Sequence, residues 1–148
     1  MSIDGLDADA VVKLLGLEPH PEGGHYIETY RDFAADGGRG SCSSIYYVLA
    51  AGEVSAWHRV TDADEIWHWY GGAPLALTTA ASAGPARTFI LGTDLQAGQA
   101  PQATIPAGDW QTAVSQGEWS LVGCTVAPAF EFAYWELAPE GWAPDGAS

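Results

Sequence analysis

The stretch WHRVTDADEIWHWYGG, residues 57–72, holds two of the chain's four histidines, His58 and His68, with Glu65 between them and aromatic residues on either side. Along an extended chain successive side chains face opposite ways, so His58 shares a face with Val60 while Trp57 and Arg59 take the other. In the following run Glu65, Trp67 and Trp69 share one face, and Ile66, His68 and Tyr70 the other. Three readings compete for this pattern: a metal site, a metal-free acid–base pocket, or an aromatic core strand that happens to contain histidine.

Outward from it the chain reads as short strand-like runs. They are HYIETYR (25–31), SSIYYVLA (43–50), SAWHRV (55–60), EIWHWY (65–70), PLALTTA (74–80), ARTFIL (86–91), QATIP (102–106), WQTAV (110–114), WSLVGCTVA (119–127) and EFAYWELA (131–138). Their β-branched and aromatic residues are separated by turn chemistry such as ADGGRG, GGAP and SQGE. So many short strands at even spacing predict an all-β antiparallel sandwich, barrel or jelly roll. Before them, apolar residues at Ala8, Val11, Val12 and Leu15 predict one helix over about 7–16, with Asp7 or Asp9 as cap, Gly16 as stop and Pro19 barring continuation. The strands then span about 25–138, and the tail 139–148 is expected to fray. A chain of 148 residues fits one domain with a sizeable core.

Charge narrows the partners. Five basic residues stand against 19 acidic ones, a net −14. Such a field repels phosphate backbones and anionic lipid surfaces, so neither nucleic acid nor membrane is expected as a partner. The N-terminal MSIDGLDADA has no basic region followed by an apolar one, so no signal peptide is expected, and no apolar run approaches a membrane span. Cys42 and Cys124 form no CxxC pair, and Cys124 in LVGCTV reads as a small buried thiol. A cytoplasmic location is the expectation.

The order Gly52, His58, Val60, Glu65, Gly72 resembles the first motif of the cupin superfamily, which carries histidine at both the His58 and the Val60 positions. PAGDWQ resembles the heart of the second motif, with Pro106 and Gly108 in place, Gln111 at a histidine position and Ser115 at an asparagine position. LEPHPEGGHYIETYRD, SSIYYVL, SAWHRVTDADEIWHWYGGAPLAL, LGTDL, PQATIPAGDWQ and LVGCTVAPAFEFAYWELA together are similar to the cupin 5 subfamily, whose function is unknown. The resemblance implies a double-stranded β-helix, the cupin jelly-roll barrel shaped like sugar-nucleotide 3,5-epimerases, and a homodimer. It implies no settled reaction.

If Glu65 points inward as the motif implies, the interior receives His58, Val60, Glu65, Trp67, Trp69 and Gln111, and His68 lies outside. The metal-bearing form of the motif offers three imidazoles and a carboxylate. Here Val60 has no lone pair and Gln111 is a weak ligand, so no tightly held cofactor is expected; a weak divalent site would use His58, Glu65 and Gln111. Without a metal, His58 and Glu65 read as a carboxylate–imidazole pair able to hold a proton near neutral pH. Tyr26, Tyr30, Tyr46, Tyr47 or Tyr134 would supply an opposing acid, and Trp67, Trp69, Gln111 and Tyr47 are the candidate ligand contacts. Flat indole faces suit sugar rings, nucleobases or other flat apolar surfaces. PHPEGGHY (19–26) reads either as a turn joining helix to sheet or as a loop placing His20, Glu22 or His25 at a ligand. The expected protein binds a small polar or sugar-like ligand in its barrel. Metal-independent isomerase or epimerase chemistry, a metal-dependent oxygenase or isomerase, and binding without turnover all remain open.

Overall fold

The structure is a computed structural model that describes residues 2–82 and 84–146. A 3-10 turn at Ile3–Gly5 leads into helix α1 (Ala8–Leu15), whose first turn is capped by Asp7 accepting from Ala10 N at 2.8 Å. Val11 on the inner stripe of α1 packs with Val48, Trp119 and Leu121, so the helix lies against the outside of a sheet.

Among the described residues the strands are β1 (Glu18–Pro19), β2 (His25–Arg31), β3 (Ser43–Ala50), β4 (Val54–Val60), β5 (Asp64–Gly72), β6 (Leu75–Ala80), β7 (Ala86–Leu91), β8 (Gln102–Ile105), β9 (Trp110–Ser115), β10 (Trp119–Ala127) and β11 (Trp135–Leu137). They form a six-stranded sheet in the order β1-β2-β3-β10-β5-β8 and a five-stranded sheet in the order β11-β4-β9-β6-β7. Neighbours within each sheet are antiparallel. Consecutive strands β3, β4 and β5 alternate between the sheets, which winds the chain as a double-stranded β-helix. Leu49, Leu75, Leu77, Leu91, Ile105 and Val122 fill the space between the sheets.

Two expectations need correction. EFAYWELA is not one strand: Phe132–Tyr134 form a 3-10 turn, and extended pairing begins only at Trp135, opposite Val60. The turn brings Phe132 and Trp135 within 5.6 Å, ring centre to ring centre, over the barrel mouth. The tail does not fray over 139–146: Trp142 packs on Trp57 and Trp110, and Asp145 O accepts from Ala86 N at 3.1 Å. Ala147 and Ser148 lie outside the described residues. Among the described residues no helix is long and apolar enough to cross a membrane.

Candidate functional site

A bulge in β4 builds the site. Ser55 pairs with Ala113 and His58 with Gln111, so three steps on β4 oppose two on β9. An extra residue in one strand resets which way its side chains face. Ser55 and His58, an odd number of positions apart, therefore both turn into the barrel, and both are buried. The bulged backbone also has work for its polar atoms. Ala56 N donates to Glu22 O at 2.8 Å, and Ala56 O accepts from His58 Nδ1 at 2.7 Å.

The first of these bonds seats the loop 20–24 inside the barrel. Gly23 (φ 112°) and Gly24 (φ 74°) hold backbone shapes that side chains rarely adopt. A β-carbon on Gly23 would collide with Val54 O, and one on Gly24 would stand 2.7 Å from Val48 O. Two glycines are thus what lets the loop press between β3 and β4. Tyr47 fastens it by donating its hydroxyl to Gly23 O at 2.5 Å. As a result Glu22 is delivered, buried, to the cavity wall.

Glu22 stands between two imidazoles. Oε1 lies 3.4 Å from His20 Nδ1, and Oε2 lies 3.4 Å from His58 Nε2. The neighbours fix both tautomers. A backbone carbonyl only accepts, so His58 carries its proton on Nδ1 and presents a lone pair at Nε2. His20 Nδ1 accepts from Glu22 N at 3.1 Å, so its proton sits on Nε2. The Glu22 carboxyl consequently faces two nitrogen lone pairs, with the Ser55 hydroxyl donating to Oε2. Trp135 Nε1 is near enough to favour a charge on Glu22, yet this buried N–H makes no hydrogen bond of normal geometry.

Burial raises the Glu22 carboxyl to about 7, against the Ser55, Trp135 and Tyr47 donors that favour its charge. Burial lowers His20 to about 4, with His58 adding to the shift. His58 is lowered by burial against the opposing pull of Glu65, and Glu65 is raised by burial against the pull of His58. The same burial keeps the Cys124 thiol protonated well past its ordinary range.

Glu65 makes its own contacts one step deeper. Its Oε1 accepts from Gln111 Nε2 at 2.8 Å, and Gln111 Oε1 accepts from Trp67 Nε1 at 2.7 Å. His58 and Glu65 influence each other's charge, but the close carboxylate of His58 is Glu22. His20, Glu22, His58 and Glu65 face a cavity of about 310 Å³, whose wall is completed mainly by the apolar and aromatic Tyr26, Ile45, Val60, Val126, Phe132 and Trp135, with Glu28, Arg31, Ser43 and Glu131 as further polar lining.

Of the residues singled out from sequence, His58, Glu65, Trp67 and Tyr47 reach the cavity wall together. Gln111 stays behind it, bridging Trp67 to Glu65. Trp69 packs at the margin of the apolar core and donates to Ala73 O at 2.9 Å, away from the cavity. His68 points outward, bonded to Thr125 Oγ1 at 3.2 Å. Among the tyrosines, Tyr26 and Tyr47 line the cavity; Tyr30 is exposed, Tyr46 meets Tyr70 outside, and Tyr134 lies under Arg39. Of the loop residues, His20 and Glu22 enter the site, and His25 lies near Glu53 at 3.9 Å instead. Ser55 escapes sequence reading because strict alternation points it away from His58. Trp135 escapes because EFAYWELA reads as a plain strand.

Fold and site together define a cupin jelly roll. Residues 9–138 match the Cupin_5 family, described as cupin superfamily (DUF985), and the chain belongs to it. A crystallised protein from Shewanella oneidensis is 42% identical, with a TM-score of 0.84 over 89% of this chain and 84% of that one. A hypothetical protein from Leishmania major is 28% identical, with a TM-score of 0.80 over 89% and 87%. A dTDP sugar isomerase from Desulfovibrio desulfuricans G20 shares the fold at 14% identity, with a TM-score of 0.58 over 78% and 85%. No curated protein matches the chain.

Many cupins hold a divalent metal at the four motif positions, and the residues here do not fit one. Val60 has no donor atom. Gln111 has its carbonyl committed to Trp67 and turns its amide N–H toward Glu65. Among the described residues no three histidines, cysteines or carboxylates are grouped to hold a metal ion.

Proposed function

We propose that the chain binds a small molecule in the barrel mouth and moves a proton on it, as a metal-independent isomerase or epimerase does. The observation that carries this reading is the buried contact of 3.4 Å between Glu22 Oε2 and His58 Nε2, open to an apolar cavity. A carboxyl raised to about 7 is half ionised near neutral pH, where a general acid or base transfers protons most efficiently. Facing a lone pair, it shares one proton with the imidazole, and the two act as one unit. Ser55 and the Ala56 carbonyl orient the two partners. Glu65 sets the charge behind His58, and Tyr26, a cavity-wall residue whose ring centre lies 4.5 Å from that of His20, is the candidate second acid for a bound substrate. Trp67, Phe132 and Trp135 supply flat apolar contact and exclude water.

The test is to enrich metabolites from a cell extract on the purified protein and incubate the retained molecule with the protein in D₂O. Wild type should introduce deuterium into it, read by mass spectrometry. His58→Gln should keep the fold and lose this exchange. The double variant with Glu22→Gln should lose no more than either single one, because one unit has been removed. A retained molecule that never exchanges would make the protein a binder without turnover. Retention of nothing would end the pocket reading.

A further inference from the structure

Resting on that reading of the cavity, the geometry points to an organic cation as its ligand: an amine-bearing small molecule with a flat apolar body. The reason is a shortage of donors. Glu22 Oε1, Glu22 Oε2 and His58 Nε2 converge as hydrogen-bond acceptors against one well-formed donor, the Ser55 hydroxyl on Oε2; the nearby Trp135 N–H makes no bond of normal geometry, and the nitrogens nearest Glu22 both present lone pairs. A buried acceptor without a donor is costly. An empty cavity meets the need with a proton on Glu22. A ligand ammonium brings three N–H donors and a positive charge, and so replaces that proton with charge-assisted bonds.

The rest of the wall agrees. Glu65 is a second buried carboxyl, and Glu28 and Glu131 add acid to the lining. Arg31 is the lining residue with a fixed positive charge, and that charge is already paired with Glu28. Its Nε and Nη2 donate to the two Glu28 oxygens at 2.9 and 2.8 Å, and Nη2 also donates to Phe130 O at 2.7 Å. A carboxylate or phosphate entering the cavity would find no unpaired cation and two buried acids. Tyr26, Trp67, Phe132 and Trp135 offer aromatic faces, which attract organic cations when water is excluded. The net charge of −14 draws cations toward the mouth and repels anions.

One ring scaffold with three head groups tests this: benzylamine, benzyl alcohol and benzoate, titrated calorimetrically at physiological salt and pH 8. Benzylamine should bind at least about tenfold more tightly than either of the others, a difference of about 1.4 kcal/mol. Glu22→Gln and Glu65→Gln, each with its fold verified by melting, should both lose that preference, and Glu140→Gln on the surface should keep it. Benzoate or benzyl alcohol binding as well as benzylamine would overturn the inference while leaving a ligand cavity standing. A benzylamine preference that survives both cavity variants would also overturn it, since binding would then follow the surface charge. Binding of none of the three would overturn the cavity reading itself, and this inference with it.

Discussion

The barrel interior is built to two standards. Between β6 and β7 of one sheet and β3, β8 and β10 of the other, Leu49, Leu75, Leu77, Leu91, Ile105 and Val122 pack with no polar side chain among them. Between the loop 20–24, β4, β5 and β11, the same two sheets enclose Glu22, His58, Glu65 and Gln111, all buried. Apolar burial stabilises the first region at roughly 25 cal/mol per Å². The second is destabilising in itself, because its ionisable groups lose water and regain only part of the hydrogen bonding. The apolar region holds the fold while the polar region is held in place, and that division is what a binding or catalytic site on a small scaffold requires.

Removing bulk from each region should separate the two most strongly. Leu77→Ala, at a fully buried position, should cost about 2–5 kcal/mol by urea unfolding. Phe132→Ala, half exposed at the cavity wall, should cost about 1 kcal/mol or less. Equal losses would mean that the cavity wall is part of the folding core.

A smaller effect separates the two regions by pH. Glu22 rises from 4.5 to about 7 on folding, so its contribution to stability is complete below about 4.5 and is lost as pH rises to about 7. His20 falls from 6.5 to about 4, so its contribution is complete above about 6.5 and is lost as pH falls to about 4. Between about 4.5 and 6.5 the two slopes oppose each other, and Glu65 and His58 add to the respective sides. Wild-type stability should therefore vary little with pH there. Glu22→Gln removes one of the two raised carboxyls and leaves Glu65 against both histidines, so stability should then climb from pH 4.5 to 6.5 by up to about 1.4 kcal/mol per unit. A variant whose stability is flat or falls across that window would show that the loop carboxyl is not proton-linked to folding.

The smallest expected effect is that of metal removal. With Val60 and a committed Gln111 at two motif positions, dialysis against a strong chelator should leave the melting temperature unchanged. A fall on chelation, reversed by one divalent ion per chain, would assign the polar region a metal.

The architecture is legible in the sequence: alternation and turn chemistry mark the strands, capping and spacing mark α1, and the motif order marks the family. Alternation, which is local geometry and needs no partner strand, grouped His58 with Val60 and Glu65 with Trp67, and the resemblance to the cupin motif implied that those faces point inward, where the cavity wall holds all four. What the sequence did not determine was the company His58 keeps. The bulge at β4 exists only in the register against β9, and it turns Ser55 to the same side as His58. Glu22 reaches the site only because two glycines lie against carbonyls from strands distant in sequence. Packing alone put Gln111 behind the cavity wall, Trp69 at the core margin and Trp135 on the wall. Tertiary structure decided those matters, since register, close approach and burial are relations between segments, and no single segment encodes them.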